Sequence, residues 1–250
     1  PNPWDGGSAR ILEALGYRAL ATSSGASAGT LGRRDGKISR DEALAHGELI
    51  MASTDLPVSA DLENGFGSTT ADVAETYRLA AETGLVGASI EDATGDPGQP
   101  LFTIEEATAR VAAAVEAVRG LPFHFTLTAR AEGFLRGHTD LDDAIRRLQA
   151  YEAAGADVLF APGLPDLDAV RAVCRSVSRP VNFMVGVPHR SFTVSDLTAA
   201  GVKRISLATS LYRAAMTGLL SAARETLEHG TFGYVESSVP GRELAGYLQD

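Results

Sequence analysis

The sequence predicts a (β/α)8 barrel of the TIM type, and three observations support this fold class. The chain has 250 residues, a length typical of one such barrel. Short β-branched, apolar runs alternate with longer Ala- and Leu-rich segments of helical spacing, which is typical of βαβ units around a parallel sheet. No low-complexity tract or linker interrupts the alternation. We therefore expect one domain over residues 1–250, of which 211–250 form a C-terminal helical segment. An open doubly wound sheet is the alternative, and the regular spacing and length favour the barrel.

Strands and helices can be placed from these patterns. The strands are predicted at 18–23, 57–63, 87–92, 123–130, 156–162, 180–185 and 204–209. Helical patterns lie between them, among others at 71–83, 104–119, 141–154 and 167–176. Helix starts are predicted from capping boxes at Ser39 with Glu42 and Thr103 with Glu106, and from N-caps at Asp166 and Ser195.

A barrel needs an eighth strand, and we expect it at the N-terminal end. Residues 4–10 are typical of the loop after a first strand, and 9–15 of the helix that follows it. The first strand would then precede Asn2, so that this sequence contains little of it.

Composition and charge exclude several classes of function. The formal net charge is −10 and no run of Lys or Arg offsets it, which argues against binding nucleic acid or an anionic membrane. No stretch of about 18 apolar residues is present, and the N-terminus lacks the pattern of a signal peptide. Cys174 is the single cysteine, so no intrachain disulfide can form, which suits a cytoplasmic protein.

Acidic side chains follow two neighbouring predicted strands. In a barrel, catalytic residues lie at the carboxyl ends of the strands. Asp61 and Glu63 are two residues apart, so that on a strand they would point to one side, and Glu91 would arrive from the next strand, about 5 Å away. Three carboxylates so close repel one another unless a cation lies among them, and oxygen ligands suit Mg²⁺, with Mn²⁺ as an alternative. The competing interpretation is that each acid pairs with an arginine.

Other residues at the same ends of the strands could bind a substrate. Arg130 ends the next strand and could grip a substrate carboxylate with its planar guanidinium or neutralise the acids. Residues 24–27 form a small-residue turn whose N–H groups could hold an anion. Neither Lys37 nor Lys203 is borne on the end of a strand, which argues against a Schiff-base aldolase.

These motifs together resemble the isocitrate lyase/phosphoenolpyruvate mutase superfamily over almost the whole chain. The resemblance is carried by residues 2–10 (NPWDGGSAR), 21–25 (ATSSG), 59–67 (SADLENGFG), 87–92 (GASIED) and 128–130 (TAR). It implies a (β/α)8 barrel whose last helix, here about 211–229, is usually swapped between neighbouring subunits of a homodimer or homotetramer. It also implies Mg²⁺ and cleavage or formation of a C–C or P–C bond beside a 2-oxo or enolate carboxylate.

The resemblance also implies roles for single residues. Asp61, Glu63 and Glu91 match the metal carboxylates of the family, some of which act through water. Asp35 matches a further acid that faces the metal. Ser24, Gly25 and Ala26 match the turn that holds the substrate carboxylate, and Arg130 the arginine that pairs with the substrate.

The loop after the fourth predicted barrel strand departs from the family. The lyases carry a Lys-Lys-Cys-Gly-His segment whose cysteine is the catalytic acid, and the mutases an Asn-Ser pair. Residues 93–100 read ATGDPGQP and contain neither. A retro-aldol reaction would need a base and a proton donor from elsewhere, for which Glu132, Asp96 and His189 are candidates.

The sequence therefore predicts a Mg²⁺-dependent lyase that cleaves a C–C bond next to a small 2-oxo or 2-hydroxy carboxylate through an enolate, in the manner of oxaloacetate decarboxylase or methylisocitrate lyase. Decarboxylation needs little beyond an electron sink. Two alternatives stay open. One is P–C chemistry of the phosphonopyruvate hydrolase or phosphoenolpyruvate mutase type, and the other is a barrel that binds a 2-oxo acid without turning it over.

Overall fold

The computed structural model describes residues 1–248 and contains a nearly closed barrel of seven parallel strands. In barrel order these are β1 (Leu20–Ala21), β2 (Val58–Asp61), β3 (Gly87–Glu91), β6 (Thr126–Arg130), β7 (Val158–Phe160), β8 (Val181–Met184) and β9 (Arg204–Ser206). An antiparallel hairpin of β4 (Ala93–Asp96) and β5 (Gln99–Leu101) follows β3. The predicted fold class is confirmed. Each of the seven predicted runs contains a barrel strand, and each strand is shorter than its run.

Residues 1 and 2 connect the first and last strands of the barrel. The amide of Ala21 donates to the Pro1 carbonyl at 3.1 Å. The Asn2 side chain donates to the Thr22 carbonyl at 3.0 Å and accepts from the amide of Leu207, also at 3.0 Å. The N-terminal residues thus lie between β1 and β9, where the sheet is otherwise open.

Ten α-helices surround or extend the barrel within residues 1–248. They are α1 (Gly6–Ala14), α2 (Ser24–Thr30), α3 (Arg40–Met51), α4 (Thr70–Glu82), α5 (Ile104–Val118), α6 (Leu141–Ala153), α7 (Leu167–Ser176), α8 (Val194–Ala200), α9 (Ser210–His229) and α10 (Gly241–Ala245). None of these helices is long and apolar enough to cross a membrane.

The helix starts test the predicted caps. The capping boxes at Ser39 and Thr103 and the N-cap at Asp166 are confirmed. The prediction for Ser195 is wrong, because the N-cap of α8 is Thr193. Its hydroxyl accepts from the amide of Asp196 at 3.1 Å, and the Asp196 carboxylate accepts from the amide of Thr193 at 3.3 Å. This reciprocal box starts the helix two residues earlier than a cap at Ser195 would.

Alternation along the strands separates the core from the site. On β2 and β6, Val58, Ala60, Leu127 and Ala129 are buried, and they join the apolar core that the helices cover. The residues that alternate with them, such as Asp61 and Arg130 at the strand ends, point into the barrel and line its cavity. The two-residue period therefore places polar side chains inside the barrel and apolar ones outside it.

The C-terminal arm, residues 210–248, lies largely apart from this core. Near its start Tyr212 packs edge-on against Trp4, with ring centroids 5.7 Å apart. Further along, α9 has no buried residue, and Leu219, Leu220 and Leu227 are 60 %, 52 % and 87 % exposed. The predicted C-terminal segment 211–250 contains α10 and all of α9 except its first residue, Ser210, and residues 249 and 250 lie outside the described residues.

Candidate active site

A cavity of about 560 Å³ lies at the carboxyl ends of the barrel strands. It is lined by most of the predicted site residues, namely Ser24, Asp35, Asp61, Glu63, Glu91, Arg130 and Glu132. Gly25 and Ala26 follow Ser24 in the first turn of α2, and Ala26 is fully buried. The segment predicted as a turn is therefore the start of a short helix, of which Ser24 lines the cavity.

Arg130 is the centre of this site. Its guanidinium lies 2.9 Å from Asp61 Oδ1, 3.1 Å from Glu91 Oε2 and 2.8 Å from Glu132 Oε1. The side chain is 12 % exposed and its guanidinium carbon lies 5.4 Å from the centre of the Phe160 ring. Burial alone would lower the pKa of Arg130, but the three carboxylates raise it well above its ordinary value. Arg130 is thus a permanently charged group held in one orientation.

Asp61, the last residue of β2, is an ionised acid. It accepts from the Ser89 hydroxyl at 3.1 Å and from the amide of Ser24 at 3.2 Å, besides its ion pair with Arg130. Burial would raise its pKa, but Arg130 and the Ser24 hydrogen bonds outweigh burial, so that the pKa lies below its usual range. Asp61 therefore offers a carboxylate to the cavity at any physiological pH.

Glu63 does not lie beside Asp61 on a strand, as the two-residue spacing predicted. β2 ends at Asp61, and Glu63 has a φ of 48°, in the left-handed region. Burial and the charges of Asp61 and Asp35 raise the pKa of Glu63 to about 7. Its Oε1 is buried without a hydrogen-bond partner. Burial and the neighbouring negative charges therefore favour the protonated form of Glu63.

Glu91 and Glu132 form a second acidic pair at Nη2 of Arg130, whereas Asp61 contacts Nη1. Both are nearly buried, and a further arginine, Arg136, lies 3.3 Å from Glu91 and 3.9 Å from Glu132. Burial and the charge of Glu132 raise the pKa of Glu91 well above its ordinary value, and burial also raises that of Glu132. Glu132 Oε1 accepts a 2.9 Å hydrogen bond from Arg130 Nε, which favours a role in orienting Arg130 over the role of a free base.

The direct three-carboxylate cluster that the strand ends predicted is not formed. Within residues 1–248, no three His, Cys, Asp or Glu side chains come together as a group that could hold a metal ion. The physical reason is that the guanidinium of Arg130 lies between Asp61 and Glu91 and contacts both carboxyl groups, so that the two acids face the arginine and not one another. The remaining donors still fit Mg²⁺, which keeps several waters and uses one or two carboxylates. The unpartnered Oε1 of Glu63 and the neighbouring Asp61 provide such a pair.

Of the three other predicted site residues, Asp35 lines the cavity and Asp96 and His189 lie outside its lining. Asp35 lies in the loop between α2 and α3, is exposed and faces Glu63 closely enough to raise its pKa. Asp96 lies at the tip of the β4–β5 hairpin, where its carboxylate accepts from the amide of Gly98 at 2.8 Å. His189 lies in a loop after β8 with a φ of 61°. Neither Asp96 nor His189 is among the described residues that line the cavity.

Several lining residues were not predicted. Arg136 follows Glu132 by four residues in a short 3-10 turn region, a spacing that could have identified it. Arg204 and Asn182 lie on β9 and β8 and line the cavity from below. A charged residue inside a barrel strand was the available signal for Arg204.

The fold and the cavity define a class of protein: a (β/α)8 barrel with an acid- and arginine-lined site at the carboxyl ends of its strands, the position of active sites in barrel enzymes. The chain belongs to the phosphoenolpyruvate phosphomutase family, whose sequence profile matches residues 1–227. It is thereby a member of the isocitrate lyase/phosphoenolpyruvate mutase superfamily of lyases and mutases, as the motifs predicted.

Individual relatives agree with this assignment. The chain is 32 % identical over 216 residues to 2-methylisocitrate lyase of Escherichia coli K12, covering 82 % of this chain and 72 % of that one. It is 31 % identical over 252 residues to oxaloacetate decarboxylase of Paraburkholderia xenovorans LB400, covering 97 % and 80 %. A structure from Burkholderia cenocepacia J2315, provisionally classed as a lyase/mutase, superposes with a TM-score of 0.97 at 51 % identity, covering 99 % and 89 %.

Proposed function

We propose that this protein is a Mg²⁺-dependent lyase that cleaves a C–C bond next to the carboxylate of a small 2-oxo or 2-hydroxy acid through an enolate. The observation that carries the proposal is the position of Arg130, fixed by Asp61, Glu91 and Glu132 at the wall of the cavity. A preorganised cation at this place stabilises negative charge as it develops on the substrate. The related oxaloacetate decarboxylase and 2-methylisocitrate lyase support this class of reaction.

Asp61 and Glu63 would hold the metal ion, with Asp35 and Glu91 acting through bound water. Mg²⁺, or Mn²⁺ in its place, supplies positive charge that polarises the oxygens of a chelating 2-oxo acid. The acids lose mutual repulsion when a cation is bound, and Glu63 gains a partner for its unsatisfied Oε1. The raised pKa of Glu63 supports a bound cation, because a positive charge there would offset the negative charges of Asp61 and Asp35.

The residues of the chain itself bind and orient the substrate. Ser24, with Gly25 and Ala26 behind it, would receive the substrate carboxylate at the start of α2, and Arg130 would face the oxygen on which charge develops. Glu132 and Glu91 keep the guanidinium in that orientation. Because the β4–β5 hairpin carries no Cys, His or Lys, an acid or base must come from another element if the reaction needs one. Decarboxylation of an oxaloacetate-like acid requires the least of such groups and is therefore the reaction that we test first.

The purified protein would be stripped with EDTA and assayed with oxaloacetate and 2-methylisocitrate before and after addition of Mg²⁺. The spontaneous decarboxylation of oxaloacetate, measured with the metal but without protein, is subtracted, and we expect product above that background only when both protein and metal are present. Turnover of either substrate without any metal would contradict the proposal, as would inactivity toward a broad panel of 2-oxo and 2-hydroxy acids. Thermal stabilisation by such acids without product would favour the non-catalytic barrel.

P–C bond chemistry is the second candidate, because the family profile that matches the chain is that of phosphoenolpyruvate phosphomutase. Phosphorus NMR on phosphonopyruvate distinguishes it directly, since hydrolysis releases phosphate and mutation yields phosphoenolpyruvate. The absent Asn-Ser pair in residues 93–100 makes this candidate the weaker of the two.

We also propose that the protein works as a homodimer or homotetramer in the cytoplasm. The exposed apolar side chains of α9 support a helix that packs on a neighbouring subunit. The small anionic acid is the expected partner, and the net charge of −10 argues against nucleic acid and membranes.

A further inference from the structure

Arg110 is a buried arginine on α5 that is not part of the cavity lining. Its side chain belongs to a residue that is 4 % exposed, and its Nη2 donates to two backbone carbonyls, those of Asn64 and Gly67, each at 2.7 Å. Both carbonyls belong to residues 62–67, the segment that leaves β2 and carries Glu63. Arg110 therefore holds the segment of a proposed metal ligand from the helix side of the barrel.

Residues 62–67 adopt a backbone conformation that needs such support. Glu63 and Phe66 have φ values of 48° and 56°, in the left-handed region that residues other than glycine rarely adopt. β2 ends at Asp61, and the last contact of the sheet type is the Glu63 carbonyl, which accepts from the amide of Glu91 at 2.9 Å. A strained conformation beyond the end of a strand persists only where the surrounding groups hold it.

The two hydrogen bonds of Arg110 lie next to both of these left-handed residues. Asn64 follows Glu63 directly, and Gly67 follows Phe66 directly. One nitrogen atom thus holds the peptide group after each of them. If these bonds were lost, the backbone at Glu63 could turn to a more favourable φ and carry its carboxyl group away from the cavity.

The guanidinium of Arg110 is itself held in one orientation. Its central carbon lies 4.6 Å from the centre of the Phe102 ring. Its Nε is buried and has no hydrogen-bond partner, which is unfavourable for a donor. The carbonyls of Asn64 and Gly67 and the Phe102 ring therefore determine where the guanidinium lies, although one of its own donors stays unsatisfied there.

We propose that Arg110 is a positioning residue of the active site, which fixes the backbone of Glu63 so that its carboxyl group points into the cavity, and thereby sets the affinity for the divalent metal ion. This inference rests on the proposed function, in which Asp61 and Glu63 hold the metal. A site whose competent conformation is populated only in part binds its ligand more weakly by that fraction. Arg110 touches neither metal nor substrate and acts only through the segment that it holds.

The test measures Mn²⁺ binding from the electron paramagnetic resonance signal of free Mn²⁺, with protein that has been stripped with EDTA and freed of it. We expect Arg110→Met to weaken Mn²⁺ binding about tenfold to a hundredfold, as is typical when a group that orients a metal ligand is removed. Arg110→Lys should lie between Arg110→Met and the wild type. Its ammonium can donate to both carbonyls, as Nη2 does, but it is shorter and lacks the planar group that faces Phe102.

A double-mutant cycle with Glu63→Gln separates positioning from general damage to the fold. Glu63→Gln alone should weaken Mn²⁺ binding, because an amide oxygen replaces a charged ligand. Adding Arg110→Met to Glu63→Gln should then cause little further loss, since a residue that acts through Glu63 has no effect once that ligand is gone.

Arg119→Met is the matched control, since it removes the same side chain from an exposed position at the end of the same helix. It should bind Mn²⁺ as the wild type does. The Thr76 hydroxyl also holds the segment, through the Gly65 carbonyl at 2.8 Å, so we expect the Arg110 variants to fold. If Arg110→Met does not fold, Arg110→Gln replaces it in the cycle, because its shorter side chain cannot hold both carbonyls.

Two results would overturn the inference alone, provided that Glu63→Gln weakens binding: an Arg110→Met protein with the Mn²⁺ affinity of the wild type, or an equal loss of affinity from Arg110→Met in the wild-type and Glu63→Gln backgrounds. The second result would show that Arg110 only supports the fold. A wild type that binds no Mn²⁺, or a Glu63→Gln protein that binds it as tightly as the wild type, would overturn the metal site of the proposed function together with the inference.

Discussion

The hydroxyl of Tyr151 on α6 donates a 2.6 Å hydrogen bond to Asp92 Oδ2, beneath the active-site acids. The same carboxylate accepts from Arg147 at 3.1 Å, and its Oδ1 accepts from the amide of Glu132 at 2.8 Å. Asp92 directly follows Glu91, so this buried acid ties α6 to the two residues that orient Arg130. The fixed orientation of Arg130 thus depends on contacts outside the cavity.

Tyr151→Phe should therefore destabilise the protein and loosen the site. Removing one hydrogen bond to a buried carboxylate costs about 1.5–3 kcal/mol, and we expect that loss in the free energy of unfolding measured with urea. Tyr17→Phe, at a 42 % exposed tyrosine, is the control and should change it little. Equal stability of the two variants would show that Asp92 is adequately held by Arg147 and the Glu132 amide.

The raised pKa of Glu63 predicts a pH dependence of stability in the metal-free protein. The folded-state pKa of about 7 lies above the ordinary value of 4.5. Folding therefore favours the protonated acid, so that its stabilising contribution is full below about pH 4.5 and is lost as the pH rises through 7. Glu63→Gln should remove the fall in folding stability that the ionisation of Glu63 causes between about pH 4.5 and pH 7.

Thermal melting in EDTA between pH 5 and pH 8 would measure the effect, with wild type and Glu63→Gln compared at each pH. Addition of Mg²⁺ should reverse the trend for the wild type alone, because the metal binds the deprotonated carboxylate. If the Tm of the two proteins changes with pH in the same way in EDTA, the pKa of Glu63 is not raised by its burial and its acidic neighbours.

Arg130 is expected to be the residue whose exchange costs most activity. Arg130→Lys keeps the charge but loses the planar fork that contacts three acids, and we expect kcat/KM to fall about 10²- to 10³-fold, as for the loss of a preorganised donor. Arg130→Met should in addition destabilise the fold by about 3–5 kcal/mol, because it leaves buried carboxylates without a partner. Arg146→Lys, at an exposed arginine that pairs with Asp143, is the control. Steady-state kinetics together with urea unfolding separate the two effects, and full activity of Arg130→Lys would exclude the proposed role.

The sequence predicted those parts of the site that depend on a two-residue period and on the order of neighbouring strands. Asp61, Glu91 and Arg130 each end a strand, and β2, β3 and β6 are adjacent, so their meeting could be foreseen. The arrangement of the three side chains could not be foreseen. It depends on side-chain conformations, which decide whether the acids face a metal ion or Arg130. Glu63 lies beyond the end of its strand, where a left-handed φ breaks the period. Arg204 and Asn182 were missed because a polar residue inside a strand pattern does not show which side chains it will face across the barrel.

The exposed face of α9 predicts that the subunit is incomplete as a monomer. Leu220 and Leu219 are more than half exposed on a helix with no buried residue, and water-exposed apolar faces of this kind are usually covered by a partner. The motifs of the family imply that a second copy of the chain covers it. Leu220→Glu should then shift the protein toward monomers, since the new charge would be buried in the contact. Light scattering after size-exclusion chromatography would measure the mass, with Leu15→Glu, at a 60 % exposed leucine ending α1, as the control. The control should keep the mass of the wild type. A monomeric wild type, or a Leu220→Glu protein with the same oligomeric mass as the wild type, would show that the swapped arrangement of α9 is wrong.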